Sequence, residues 1–290
     1  MRILILNVLL VQLVYLSSCA KERERYFVDG GFMLEKSHAN VIREFVFFGE
    51  DSPGVTEGFD LDGVDNREPD AASCYVEDMV DSEGRAGIDN QLAKIWTDLE
   101  PLIGEATQGL LHGAINEGRF LMMVELEGVD DLQNDDDVTV HILRGSHKPD
   151  IGTEGKIAPY QTFYADEDFP SSRIENMQIV DGILEAGPLE FSIPVDILDA
   201  KFILPVRRGM IRLRISDDGS FSGYIGGFMT PSEFLGEMYE TGAKAEAELV
   251  TPLFEENTDS APQDGRCMDM SAAFGFSGAT AFVVRKKIPR

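Results

Sequence analysis

The segment Gly58-Phe59-Asp60-Leu61-Asp62-Gly63-Val64-Asp65-Asn66 sets three aspartates around a glycine. Hard divalent cations, calcium above all, take about six to eight oxygen ligands on a backbone that can curl around the ion. Period-two spacing points the Asp60 and Asp62 carboxylates the same way, and Gly63 permits a sharp turn. Asp89, in the similar string Gly87-Ile88-Asp89-Asn90, could reach the same ion from across the loop. The candidate metal ligands are therefore Asp60, Asp62, Asp65 and Asp89, and calcium is the candidate cofactor. A solvated turn, in which side-chain oxygens accept nearby backbone N–H groups, explains the same residues without an ion. Both readings stand on the sequence alone.

Other constellations carry less. Asp130-Asp131 and Asn134-Asp135-Asp136-Asp137 lie between two strand-like stretches and read as a solvated hairpin loop, with a weak cation site as the alternative. His38, His112, His141 and His147 lack the short spacings of zinc ligands. Gly275-Phe276-Ser277-Gly278-Ala279 only half matches a nucleophile elbow and follows no strand-to-helix pattern. No phosphate-binding loop or dinucleotide fingerprint appears, Gly223-Tyr224-Ile225-Gly226-Gly227 included. Paired carboxylates for glycoside hydrolysis are not singled out among so many acids.

Net charge narrows the partners. The 290 residues include 52 Asp and Glu against 25 Lys and Arg, a formal charge of −27. Such a surface repels phosphate backbones, so nucleic acid is excluded as a partner class. It also offers no basic patch to anionic headgroups. With 43% hydrophobic residues, the chain can still bury a sizeable core.

The elements that must position these groups are mostly strands. Two apolar stretches between Tyr26 and Glu50 predict strands, the second buried on both faces at Phe45-Val46-Phe47-Phe48. Residues 51–91 hold few periodic apolar positions and read as a long acidic loop, a kind usually functional, metal-organised or disordered. Leu92, Ile95, Trp96, Leu99, Ile103, Ala106, Leu110 and Ala114 then recur at helical spacing. Asp89 or Asn90 would cap that run, Pro101 would split it into two helices, and Gly118 would end it. Strands follow at 119–127 and 138–144, where Val138, Val140 and Ile142 alternate with Thr139 and His141. Further strands are expected at 160–165, 177–185, 189–195 and 202–206. Residues 210–216 and 221–228 flank Asp217-Asp218-Gly219 as a hairpin. One helix is predicted from Pro231 to about Leu249, with Thr230 as its cap, and a strand pair turning at Ser277-Gly278 closes the chain. Short strands with few crossover helices predict an α+β, β-rich fold: antiparallel sandwich-like sheets with two or three packed helices.

The amino terminus adds an address. Arg2 precedes an apolar run, Ile3 to Leu16, too short to span a bilayer, and Leu16-Ser17-Ser18-Cys19 follows at once. This string resembles the lipobox of bacterial lipoproteins. That resemblance implies cleavage before Cys19, lipidation of Cys19 and attachment to a membrane through its acyl chains, each buried methylene contributing about 0.8 kcal/mol. Ala20 rather than Asp after the cysteine favours the outer membrane of the cell envelope over the inner. Residues 1–18 are then a signal peptide, 19–25 a tether and 26–290 a single β-rich domain. With Cys19 lipidated, Cys74 and Cys267 remain, and outside the cytosol they are expected to form a disulfide. Closing a loop of about 190 residues contributes at most roughly 5 kcal/mol.

Two further resemblances bear on function. The Asp60–Asn66 core is similar to extracellular calcium loops of the thrombospondin type 3 kind, though it lacks the bidentate Glu of an EF-hand. GFDLDGVDN and GIDNQL are also similar to parts of uncharacterised acidic exported lipoproteins, which implies no activity. The expectation is a lipid-anchored envelope protein with a non-enzymatic binding or structural role towards a protein or glycan. An envelope hydrolase with a carboxylate site and a carrier of an apolar ligand are the alternatives.

Overall fold

A computed structural model describes residues 25–28, 31–34, 36–65, 74–197, 200–263 and 266–286. Cys19, the signal segment and nearly all of the tether lie outside them. The fold is β-rich and predominantly antiparallel, residues 161–164 pairing parallel with 281–284, with three helices among the described residues, the class that the short-strand pattern predicts.

In chain order the strands are β1 Arg25–Val28, β2 Gly31–Leu34, β3 Ser37–Phe47, β4 Met79–Val80, β5 Ala86–Ile88, β6 Met122–Glu127 and β7 Asp135–Arg144. They continue as β8 Gln161–Tyr164, β9 Ser172–Val180, β10 Ile183–Ile197, β11 Ala200–Ile215, β12 Phe221–Met229, β13 Ser260–Gln263 and β14 Arg266–Lys286. The helices are α1 Gln91–Asn116, α2 Pro231–Thr241 and α3 Lys244–Glu255.

Eight of these strands form one closed ring. Each of β3, β6, β7, β9, β10, β11, β12 and β14 pairs antiparallel with the next. Over residues 274–277, β14 pairs with β12 and β3 at once, so these two occupy its opposite edges and the sheet meets itself. The sandwich-like layers are thus opposed walls of one up-and-down barrel. Closure removes the exposed edges that an open sheet would present.

Register and burial assign the interior. Ile211, Leu213 and Ile215 of β11 face Ile225 and Phe221 of β12, and Ile42, Val124, Leu126, Val140, Ile179 and Leu184 complete the packing from the other strands. The outward positions of β9 and β11 carry Arg173, Glu175, Arg212 and Arg214. That is the reverse of the pattern of a barrel bathed in lipid. No helix among the described residues is long and apolar enough to cross a membrane.

Both barrel ends are covered. At one end turns bond to one another: Gly128 N–H donates to Lys36 O, Gly182 N–H to Gln133 O and Ile215 N–H to Gly182 O. Asn40, inside the wall, donates to Gly219 O and accepts from Phe221 N–H. At the other end α1 touches β3, β14 and the diametrically placed β10, so it spans the mouth. Trp96 stacks on Phe47 at 4.5 Å there, and Leu111 and Ile115 enter the core.

Several boundaries differ from expectation. The helix at 91–116 is continuous through Pro101, because apolar residues on both sides of it, Ile95 and Trp96 before and Leu111 and Ile115 after, are packed on the barrel. Asn90 stands at the N-cap position but caps nothing with its side chain. The predicted strand 177–185 is broken by a turn at Asp181-Gly182, and β10 runs through 189–195. Ser277-Gly278 is no turn: β14 is one 21-residue strand, and a register shift against β3 occurs at that point. The late helix is two, because Gly242 adopts a left-handed φ of 103° and ends α2. On β6 and over residues 138–143 of β7 both faces are buried, so Thr139 and His141, opposite in face to Val138, Val140 and Ile142, lie under cover as well.

Candidate metal centre

The acidic loop is anchored before it is functional. Asn90, fully buried, donates from Nδ2 to Glu57 O at 2.9 Å and accepts Ala273 N–H on Oδ1 at 3.1 Å. This spans the loop and β14, and it explains why the side chain is unavailable as a cap. Buried Asp81 accepts N–H bonds from Glu83 and Arg85 and pairs with the Arg85 guanidinium. Arg85 in turn donates to the Tyr224 hydroxyl at 2.7 Å, and Phe59 packs on the Tyr224 ring at 4.9 Å. The loop is therefore stitched to the outer wall of β12.

Cys74 and Cys267 form a disulfide, with a Cα–Cα distance of 6.0 Å and a sequence separation of 193. The bridge fastens the loop to the start of β14, which pairs there with β13. The pairing expected from the cysteine count is the one present.

Within this clamp Asp60, Asp62 and Asp89 each bring a carboxylate oxygen within 4.8 Å of the others. A single backbone pairing does most of the positioning: Asp89 N–H donates to Phe59 O at 2.8 Å, and the Leu61 N–H returns to Asp89 Oδ2 at 2.7 Å. Gly63 N–H donates to Asp60 Oδ1 and Val64 N–H to Asp62 Oδ1, at 2.7 and 2.9 Å. The turn bonding read from the sequence and the convergence of carboxylates thus coexist. Asp65 is exposed and is not one of the three converging groups. Gly87, at φ 78°, brings its backbone close to this group; a Cβ there would lie 3.4 Å from Asp60 Cγ.

The three carboxylates are unequal. Asp60 and Asp62 are exposed, whereas Asp89 is only 7% exposed. Burial pushes the Asp89 carboxyl up to about 8; the Leu61 N–H opposes this, and the charges of Asp62, Asp259 and Asp78 add to it. Asp259, held by Ser271 N–H at 2.8 Å, is pushed up by burial to about 6. Ser271 also accepts the Gln91 N–H at 2.9 Å, joining this acidic neighbourhood to the first turn of α1. Chemically, the trio offers hard oxygen ligands with one carboxyl whose ionised form is starved of a positive partner. The repeated G-x-D-N pattern marks Asp89 in the sequence, whereas Asp259 and Ser271 carry no local signal.

The other candidates are dispersed. Asp135 accepts N–H bonds from Asp130, Asp131 and Asp137 and so organises the β6–β7 turn. Ser277 donates to Glu44, whose other oxygen meets Lys156, both at 2.5 Å. His38 donates to Gly219 O, exposed His112 contacts Asn116, and His147 stacks on Phe163. His141 sits 2.8 Å from Glu127, beside the ion pair of buried Glu125 with half-buried Arg285. No protein-family model matches this chain, and neither does a curated protein or a solved structure.

Proposed function

We propose that this chain is a lipid-anchored cell-envelope protein, held by acyl chains on Cys19, whose barrel presents a calcium-organised loop in a non-enzymatic binding or structural role. The observation that carries the cation part is the convergence of Asp60, Asp62 and Asp89 within 4.8 Å in a loop tied down by the Cys74–Cys267 bridge. Two exposed carboxylates and one buried one, with a backbone that curls through Gly63, suit a hard cation better than a soft one. Calcium, neutralising the trio, would fix the loop as a surface for a protein or glycan partner. An outer-membrane location follows the same lipobox argument. The carrier alternative loses ground, because the barrel interior is filled by its own side chains.

The test is calcium titration of the full chain with melting as the readout. A ligand at about 100 times its dissociation constant stabilises a fold by about 2.7 kcal/mol. Asp60→Ala with Asp62→Ala should abolish the effect. No shift at millimolar calcium, or an equal shift in the double variant, defeats the cation site. Intact mass of the membrane-extracted protein tests the anchor separately, and an unmodified Cys19 defeats it.

A further inference from the structure

On the outer wall of β11 and β12 lies a cleft of about 220 Å³, roofed by the 82–85 turn of the acidic loop. Its floor is made of cross-strand neighbours, Arg212 beside Tyr224 and Arg214 beside Ser222. Arg85 and Glu83 close the rim, with Glu57 engaged by the Ser82 hydroxyl. Three guanidiniums line one cleft in a chain of 25 basic against 52 acidic residues.

These arginines are not equally occupied. Arg85 is steadied from behind by Asp81 and donates to the Tyr224 hydroxyl. Arg212 reaches Glu185 at 3.3 Å and Glu83 at 3.9 Å. Arg214 is exposed and makes no ion pair among the described residues. A guanidinium has five donors in a fixed plane, so a backed arginine keeps donors to give and is already oriented.

We propose that this cleft binds a tetrahedral oxyanion, the phosphate or sulfate group of a small soluble ligand, between Arg212 and Arg214. Two residues along one strand face are about 7 Å apart, a span that lets both side chains flank a single group. Donors come from the floor, Arg212 and Arg214, and from the rim, Arg85. A tetrahedral group can accept from both directions, whereas a planar carboxylate is served within its own plane. The net charge of −27 repels a polyanionic chain, so the ligand presents an isolated anionic group. This inference is independent of calcium binding, because no residue of the Asp60, Asp62 and Asp89 trio lines the cleft.

The experiment is calorimetric titration of the full chain with inorganic phosphate and with sulfate, against chloride at matched ionic strength. Binding in the low-millimolar range, about −4 kcal/mol, is expected for so small a probe, with at least a tenfold preference over chloride. Arg214→Gln should weaken it about tenfold or more, Arg214→Lys less, and the outer-wall control Arg173→Gln not at all. Melting in chloride checks that each variant folds; should Arg214→Gln fail to fold, Arg214→Lys decides, since it keeps the charge but loses the fork. No preference over chloride, or unchanged affinity in both Arg214 variants, overturns the assignment.

Discussion

Replacing Asp89 by asparagine keeps the shape and the Leu61 N–H acceptor while removing the buried charge. The unfolded chain gives up this proton near the ordinary value of 3.8, and the native chain holds it to about 8. Across that window the native state binds more protons, so stability falls as pH rises through it. Each tenfold change in proton affinity corresponds to about 1.4 kcal/mol, which sets an upper limit of about 5 kcal/mol at pH 8. Relaxation around the carboxylate lowers this, and a gain of roughly 2–5 kcal/mol is expected for Asp89→Asn without metal. For a chain of this size that is a rise in Tm of roughly 5–15 °C. The assay is melting between pH 5 and 9 in chelator. Wild type should lose stability as pH rises and the variant should not. Calcium should reverse the order, stabilising wild type and releasing a proton, with little effect on the variant. Parallel pH profiles in chelator would refute the burial argument outright.

Other perturbations have equally definite outcomes. Cys74→Ser frees a 193-residue loop and should cost up to about 5 kcal/mol in urea unfolding, with calcium affinity falling as the loop loosens. Asn90→Ala strands the Glu57 carbonyl and the Ala273 N–H; a loss of about 2–4 kcal/mol in urea is expected. The 2.8 Å contact of His141 with Glu127 favours an imidazolium. Burial, then the Arg285 charge, outweigh it and push His141 down to about 4. Stability should therefore drop as pH falls from about 6.5 to 4, since the unfolded histidine takes up a proton first. NMR titration of the His141 ring should show it neutral at pH 5.5, and a protonated ring there would reverse the assignment.

The acidic loop illustrates what was legible and what was not. Alternating aspartates with Gly63, and the echo at Gly87-Ile88-Asp89-Asn90, were enough to bring Asp60, Asp62 and Asp89 together as candidates. Asp259 and Ser271 approach this neighbourhood only because β13 and the start of β14 fold back beside it. Of the arginine cleft, the alternation of Ile211, Leu213 and Ile215 with Arg212 and Arg214 marks the outward side of β11 in the sequence, but the 82–85 turn that roofs it comes from far away in the chain. Pro101 and Ser277-Gly278 misled for one reason. Local turn and breaker preferences amount to about 1 kcal/mol for a glycine and about 3 kcal/mol or somewhat more for an interior proline, and packing of α1 on the barrel mouth and double-sided pairing of β14 exceed them.

By itself the sequence determined the periodicities, hence the strand-rich composition and the helical run that begins near residue 91, along with the charge and the cysteine inventory. These depend on near neighbours and on counting. The continuity of that helix through Pro101 was decided by packing. Only the tertiary structure decided that the sheet closes through β14, that Asn90 spans loop and wall rather than capping a helix, and that Asp89 is buried while Asp65 is not. Closure and burial depend on which distant strands meet, and pairing between residues far apart in the chain leaves no period in the sequence to read.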